Sequence, residues 1–109
     1  MKWWIMATEA LYKTTGEEIL HAVDFTDLLP DDASVTASST VTAVKSDDSA
    51  DATVIGTVSQ SGMELRAVLQ SGTDGEDYTI TFTGRGNSTG RDRAVIVEMR
   101  VRDQLQGAL

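Results

Sequence analysis

Alternation with a period of two is the feature that most constrains this chain. In Val35, Ala37, Val41 and Ala43 the odd positions are small and apolar, while Ser34, Thr36, Ser38, Thr40 and Thr42 place hydroxyls between them. Successive side chains of a strand point to opposite faces, so this run predicts a half-buried strand with a hydroxyl-lined outer face. Thr79, Thr81 and Thr83 alternate in the same way with Tyr78, Ile80 and Phe82, and Val95, Val97, Met99 and Val101 with Ile96, Glu98, Arg100 and Arg102. Upstream, Ile19, His21, Val23 and Phe25 alternate with Leu20, Ala22 and Asp24. Two further runs fit the template. Ala52, Val54 and Val58 share a face, with Gly56 between them as a bulge or close-contact position. Met63, Leu65, Ala67 and Leu69 share another, and their brackets Ser61-Gly62 and Ser71-Gly72 leave room for a strand rather than a helix.

The connectors are rich in Ser, Asp and Gly, and no long helical periodicity occurs. Asp24 to Pro30 reads as a short helical turn stopped by its proline. Short strands punctuated in this way predict an all-β fold, an immunoglobulin-like antiparallel β-sandwich of about seven strands. Residues 1–16 are expected to form an N-terminal arm or first strand, 17–103 the sandwich, and 104–109 a loose tail. The apolar run after Lys2 stops at Thr8-Glu9, too short for a signal sequence or a membrane span, so synthesis in the cytoplasm is the expectation.

The residue inventory narrows the chemistry. Cysteine is absent, which removes disulfides, thiolate catalysis and Cys-ligated zinc. With one histidine, a Ser-His-Asp triad would rest on His21 alone. A net charge of −8 argues against nucleic-acid partners and anionic membranes, both of which need Lys and Arg. No enzymatic activity and no cofactor are expected. Asp47, Asp48 and Asp51 share one loop and could give a calcium ion part of its oxygen shell, but an acidic solvated turn is the plainer reading. Gly84-Arg85-Gly86-Asn87-Ser88-Thr89-Gly90 lacks the Gly-Lys-Ser/Thr ending of a phosphate loop and is read as a mobile hairpin loop.

Two positions carry sharper expectations. Tyr78 opens a strand directly after Asp74-Gly75, where a tyrosine corner places a phenol that bonds back to the upstream backbone. Tyr78, Asp74 and Gly75 are therefore a structural corner. Trp3, Trp4, Ile5 and Met6 gather both tryptophans of the chain at one terminus. They are read either as cover for one end of the core or as an apolar arm contacting another subunit.

In order and spacing, several of these segments resemble the phage fiber-tail adaptor proteins, small immunoglobulin-like virion proteins of tailed bacteriophages. The segments are Val23 to Leu29, the Ala33 to Thr42 run, the Leu69 to Tyr78 turn and the Thr89-Gly90-Arg91-Asp92-Arg93 loop. The likeness spans roughly residues 17–103. Phe25 stands where the pattern has Trp, Leu28 replaces a second aromatic, Val41 a frequent Trp and Ser71 a turn Gly; the Trp-Trp segment has no counterpart. The resemblance implies a structural protein of the virion tail or neck, made in the host cytoplasm. It would be present in several copies of a symmetric assembly, with other virion proteins as partners. The rival readings are a virion-surface module for host glycans or proteins, and an accessory carbohydrate-binding domain. A sugar platform needs exposed aromatics, and the chain has only two Trp, two Tyr and two Phe.

Overall fold

The alternation of the last two strands builds the centre of the larger sheet. In the computed structural model, which describes residues 5–103 and side chains from Ala10 onward, β6 (Asp77–Arg85) and β7 (Asp92–Val101) pair antiparallel. Tyr78 lies opposite Met99, Ile80 opposite Val97 and Phe82 opposite Val95, and all six are buried. Thr79, Thr81 and Thr83 take the other face with Glu98 and Ile96. On the far side of β6 runs β3 (Thr40–Lys45), antiparallel, with Ala43 opposite Ile80. On the far side of β7 runs β1 (Ile5–Lys13), parallel, with Leu11 opposite Met99. The four-stranded order is β1-β7-β6-β3.

The second sheet has the order β2-β5-β4, formed by β2 (Ile19–Asp24), β5 (Glu64–Leu69) and β4 (Ile55–Ser61). Leu65, Ala67 and Leu69 of its central strand are fully buried and join Tyr78, Ile80, Phe82, Val97 and Met99 in one core. Full burial of each large apolar side chain contributes roughly 1.5–3 kcal/mol, which is what holds the two sheets face to face. The result is an all-β two-sheet sandwich, with seven strands among the described residues. In constant-type immunoglobulin domains the first strand joins the sheet of the second; here β1 joins the opposite sheet, beside β7. Among the described residues no helix is long and apolar enough to cross a membrane.

Two expected strands are shorter than their patterns. The run from Ser34 to Ala43 is not continuous: Val35 makes an isolated bridge to Gly86 and β3 begins only at Thr40. Between them Ser39 N–H bonds Thr36 C=O at 3.0 Å and Ser38 N–H bonds Thr36 Oγ1 at 3.2 Å. Hydroxyls that alternate along a sequence also bond their own backbone, and here that turn displaces the ladder. Likewise Ala52–Val54 is a 3₁₀ turn, because the Asp51 carboxylate accepts from Thr53 N–H and caps it. β4 then starts at Ile55, with a register irregularity before Val58. A Cβ on Gly56 there would meet Gln70 Oε1 at 2.7 Å. The segment after β2 is a turn, with Leu28 and Leu29 N–H both bonded to Phe25 C=O at 3.0 and 2.9 Å.

Candidate functional site

At one end of the sandwich, the chain closes around Tyr78. Its side chain is fully buried, and its phenolic oxygen accepts from Thr73 N–H at 3.0 Å. The turn that makes this reach feasible has three residues in the left-handed region, Ser71 (φ 54°), Gly72 (φ 98°) and Gly75 (φ 89°). Gly72 is held to glycine twice over, since a Cβ there would also lie 2.8 Å from Val101 Cγ2. Gly75 N–H bonds Val101 C=O at 2.8 Å, and Asp74 Oδ1 accepts from Asp103 N–H at 2.9 Å. Asp74 and Gly75 thus tie the turn to the end of β7.

Lys13, which the sequence did not single out, completes this end. Its side chain has no exposed surface, and its Nζ donates to Ser71 C=O at 2.6 Å and to Thr14 C=O. Burial lowers its pKa, partly offset by the carboxylates of Glu17 and Asp103. Asp103 in turn accepts from Thr15 N–H at 2.8 Å and Thr15 Oγ1 at 2.9 Å. The end of β1 and the turn after it, the β5–β6 turn and the end of β7 are therefore cross-linked through polar groups.

The opposite end is tied just as closely. The loop from Gly84 to Gly90, expected to be a mobile hairpin, is pinned to the β2–β3 connection. Asp32 Oδ1 accepts from Ser88 and Thr89 N–H at 2.7 and 2.8 Å, and its Oδ2 accepts from Thr89 Oγ1 at 2.8 Å. Asn87 Oδ1 accepts from Ala33 and Ser34 N–H, each at 3.1 Å. The Asp32 carboxylate occupies the space where any side chain at position 86 would begin, only 2.1 Å from a Cβ placed on Gly86.

The remaining candidate residues are dispersed. Asp47 accepts from Ser49 N–H and Oγ at 3.0 and 2.6 Å, and Asp51 accepts from Thr53 N–H and Oγ1, so each carboxylate closes its own turn. Among the described residues no group of three or more His, Cys, Asp or Glu is placed to hold a metal. His21 packs its ring on Phe82, with centroids 5.6 Å apart and planes at 57°. Trp3 and Trp4 lie outside the described residues; Ile5 and Met6 belong to β1, whose first residue pairs with Ala94.

What the arrangement offers is surface. Among the described residues the exposed large apolar side chains are Tyr12, Leu20 and Val58. One groove of about 330 Å³ runs over the outer face of the larger sheet along Thr81, Thr83, Asp92, Arg93 and Ala94. A second, of about 300 Å³, lies between the sheets along Val41, Thr42, Ala43, Ala50, Ala52 and Ile55.

The family described as podophage GP4 fiber-tail adaptor protein gp77 matches the chain over residues 13–98, from the buried lysine to the middle of β7. The chain belongs to this family of phage fiber-tail adaptors. No curated protein matches it. The adaptor is thereby a structural protein of the phage virion. Its first twelve residues, Trp3 to Met6 included, precede the matched region.

The turn carboxylates set the adaptor's acid limit. Hydrogen bonds from threonine and serine side chains and backbone hold Asp24, Asp47 and Asp51 below the usual aspartate range. Backbone N–H groups, Thr89 first for Asp32 and Thr15 for Asp103, do the same there. A folded pKa below the unfolded value means the unfolded chain takes up protons first as pH falls. The melting temperature should therefore be level above about pH 5 and drop steadily below about pH 4. Thermal melts across pH 2.5–7 check this, and a stability that rises on acidification contradicts it.

Proposed function

We propose that this adaptor is a non-enzymatic protein that joins the tail or neck of a tailed-phage particle to fibers or neighbouring subunits, in several copies of a symmetric assembly. The observation that carries the reading is the family match across both sheets of the sandwich. It is supported by the way the polar groups are used. The carboxylates of Asp32 and Asp103 and the buried amine of Lys13 bind backbone at the two ends of the fold, so the polar chemistry goes into rigidity. A rigid body with exposed edges and faces suits a protein that sits between others.

Within this reading Trp3, Trp4, Ile5 and Met6 are a contact arm on a neighbouring virion subunit. Burial of such side chains contributes on the order of 2 kcal/mol each, enough to anchor an arm after its ordering cost. The segment precedes the matched region.

Deleting the gene from its phage should yield particles without fibers, and a plasmid copy should restore them. Fully fibered, infectious particles from the deletion would end the adaptor reading. The double substitution Trp3→Ser, Trp4→Ser should leave the melting temperature unchanged and reduce incorporation. Loss of folding would place these tryptophans in the core instead.

A further inference from the structure

Each sheet of the sandwich ends on two edge strands, and sheets with open edges normally carry charge, proline or irregularity there to prevent further pairing. β1 carries Glu9 and Lys13, β2 ends on Asp24 and β3 on Lys45. β4 has neither charge nor proline: no charged residue and no proline stands between Asp51 and Glu64. Its irregularity ends before Val58, and from Val58 to Ser61 it keeps unbroken register with β5. Among the described residues, β5 is its sole strand neighbour.

The inner face of β4 is also uncovered. Val58 and Gln60 lie opposite Ala67 and Leu65, both fully buried, so they share the core-facing side. Yet Val58 is 39% exposed and Gln60 is exposed as well. Beside this overhang, where the β3 edge faces the start of β4, opens the apolar groove along Val41, Ala43, Ala52 and Ile55. A strand added outside β4 would pair its backbone with the free edge and turn alternate side chains toward that groove.

We propose that the free edge of β4 is a strand-addition site for an extended segment of another virion protein. That segment carries apolar residues at alternate positions together with basic residues. The inference rests on the adaptor reading and names the surface through which it acts. Charge selects the occupant. Asp51 precedes the uncharged strip and the chain carries a net charge of −8, which favours basic residues on the incoming strand. A second copy of this chain is disfavoured. Each copy has a net charge of −8, so two copies repel one another.

The test uses full-length chains supplied from a plasmid to a phage lacking its own copy. Val58→Lys places a charge on the half-exposed inner face of the edge strand; a melting curve checks that it still folds, and its incorporation should fall at least tenfold. Val58→Thr, uncharged and β-branched, should incorporate like wild type. In purified particles, amides of residues 55–61 should exchange hydrogen at least tenfold more slowly than in the free protein. Val58→Lys incorporated at the wild-type level, or β4 amides that exchange alike in both states, overturns the strand-addition site while leaving the adaptor reading intact. A free wild-type protein that sediments as a dimer dissociated by Val58→Lys overturns it too, because the edge then belongs to a second copy. Wild-type chain missing from particles overturns the adaptor reading, and the proposal with it.

Discussion

Replacing Tyr78 by alanine should cost about 3–5 kcal/mol, among the largest losses expected from a single side chain here. Tyr78 is the largest of the fully buried residues, sits opposite Met99 at the closed end of the four-stranded sheet, and its hydroxyl accepts from Thr73 N–H in the closing turn. Truncation leaves a cavity in a core already bounded by Gly72 and Val101, and it strips Thr73 N–H of its acceptor. Since 1 kcal/mol moves the melting temperature of a domain this size by about 4–8 °C, the variant should melt at least ~12 °C below wild type. Tyr78→Phe keeps the ring and removes only the oxygen, for a loss of about 1 kcal/mol. Urea melts of the two variants separate packing from hydrogen bonding. Equal losses would mean that the phenol, not the ring, is what the corner depends on.

Phe25→Ala should cost a similar ~3–5 kcal/mol at the other end of the fold. Its ring is fully buried and lies flat over Gly84, where a Cβ would stand 3.0 Å from three ring carbons. The same residue anchors the turn after β2, giving its N–H to Met63 C=O at 2.9 Å and its carbonyl to Leu28 and Leu29. The close approach makes a coupling measurable. Gly84→Ala alone should destabilise by roughly 1–3 kcal/mol through overpacking, and by clearly less once Phe25 is alanine. Strictly additive losses would show that ring and glycine do not share the space as described.

How far the fold was legible depended on whether local pattern or distant partner decides each element. β6 and β7 could be read because their period-2 faces become the core and the solvent side of one central sheet, so pattern and burial coincide. β5 was equally readable once the Ser-Gly pairs limited its length. The stretches at Thr36 and Ala52 misled for one reason: short polar side chains alternate as well as any strand, but they bond their own backbone first. The grip of Asp32 and Asn87 on each other's loops joins residues more than 50 apart in sequence, and nothing local announces it. Lys13 was hidden similarly, since its carbonyl partner on Ser71 arrives from the β5–β6 turn. The uncharged stretch that becomes β4 was visible as composition. That it is an edge follows from strand order, which is a non-local property.

Electron cryomicroscopy of virions in which this chain carries a gold-labelled C-terminal tag measures its place directly. A structural adaptor puts the label in repeated positions around the particle axis, where tail or neck meets the fibers. Particles that are intact and fibered but carry no label there, with the tagged chain left in the soluble lysate, would contradict a structural role in the virion.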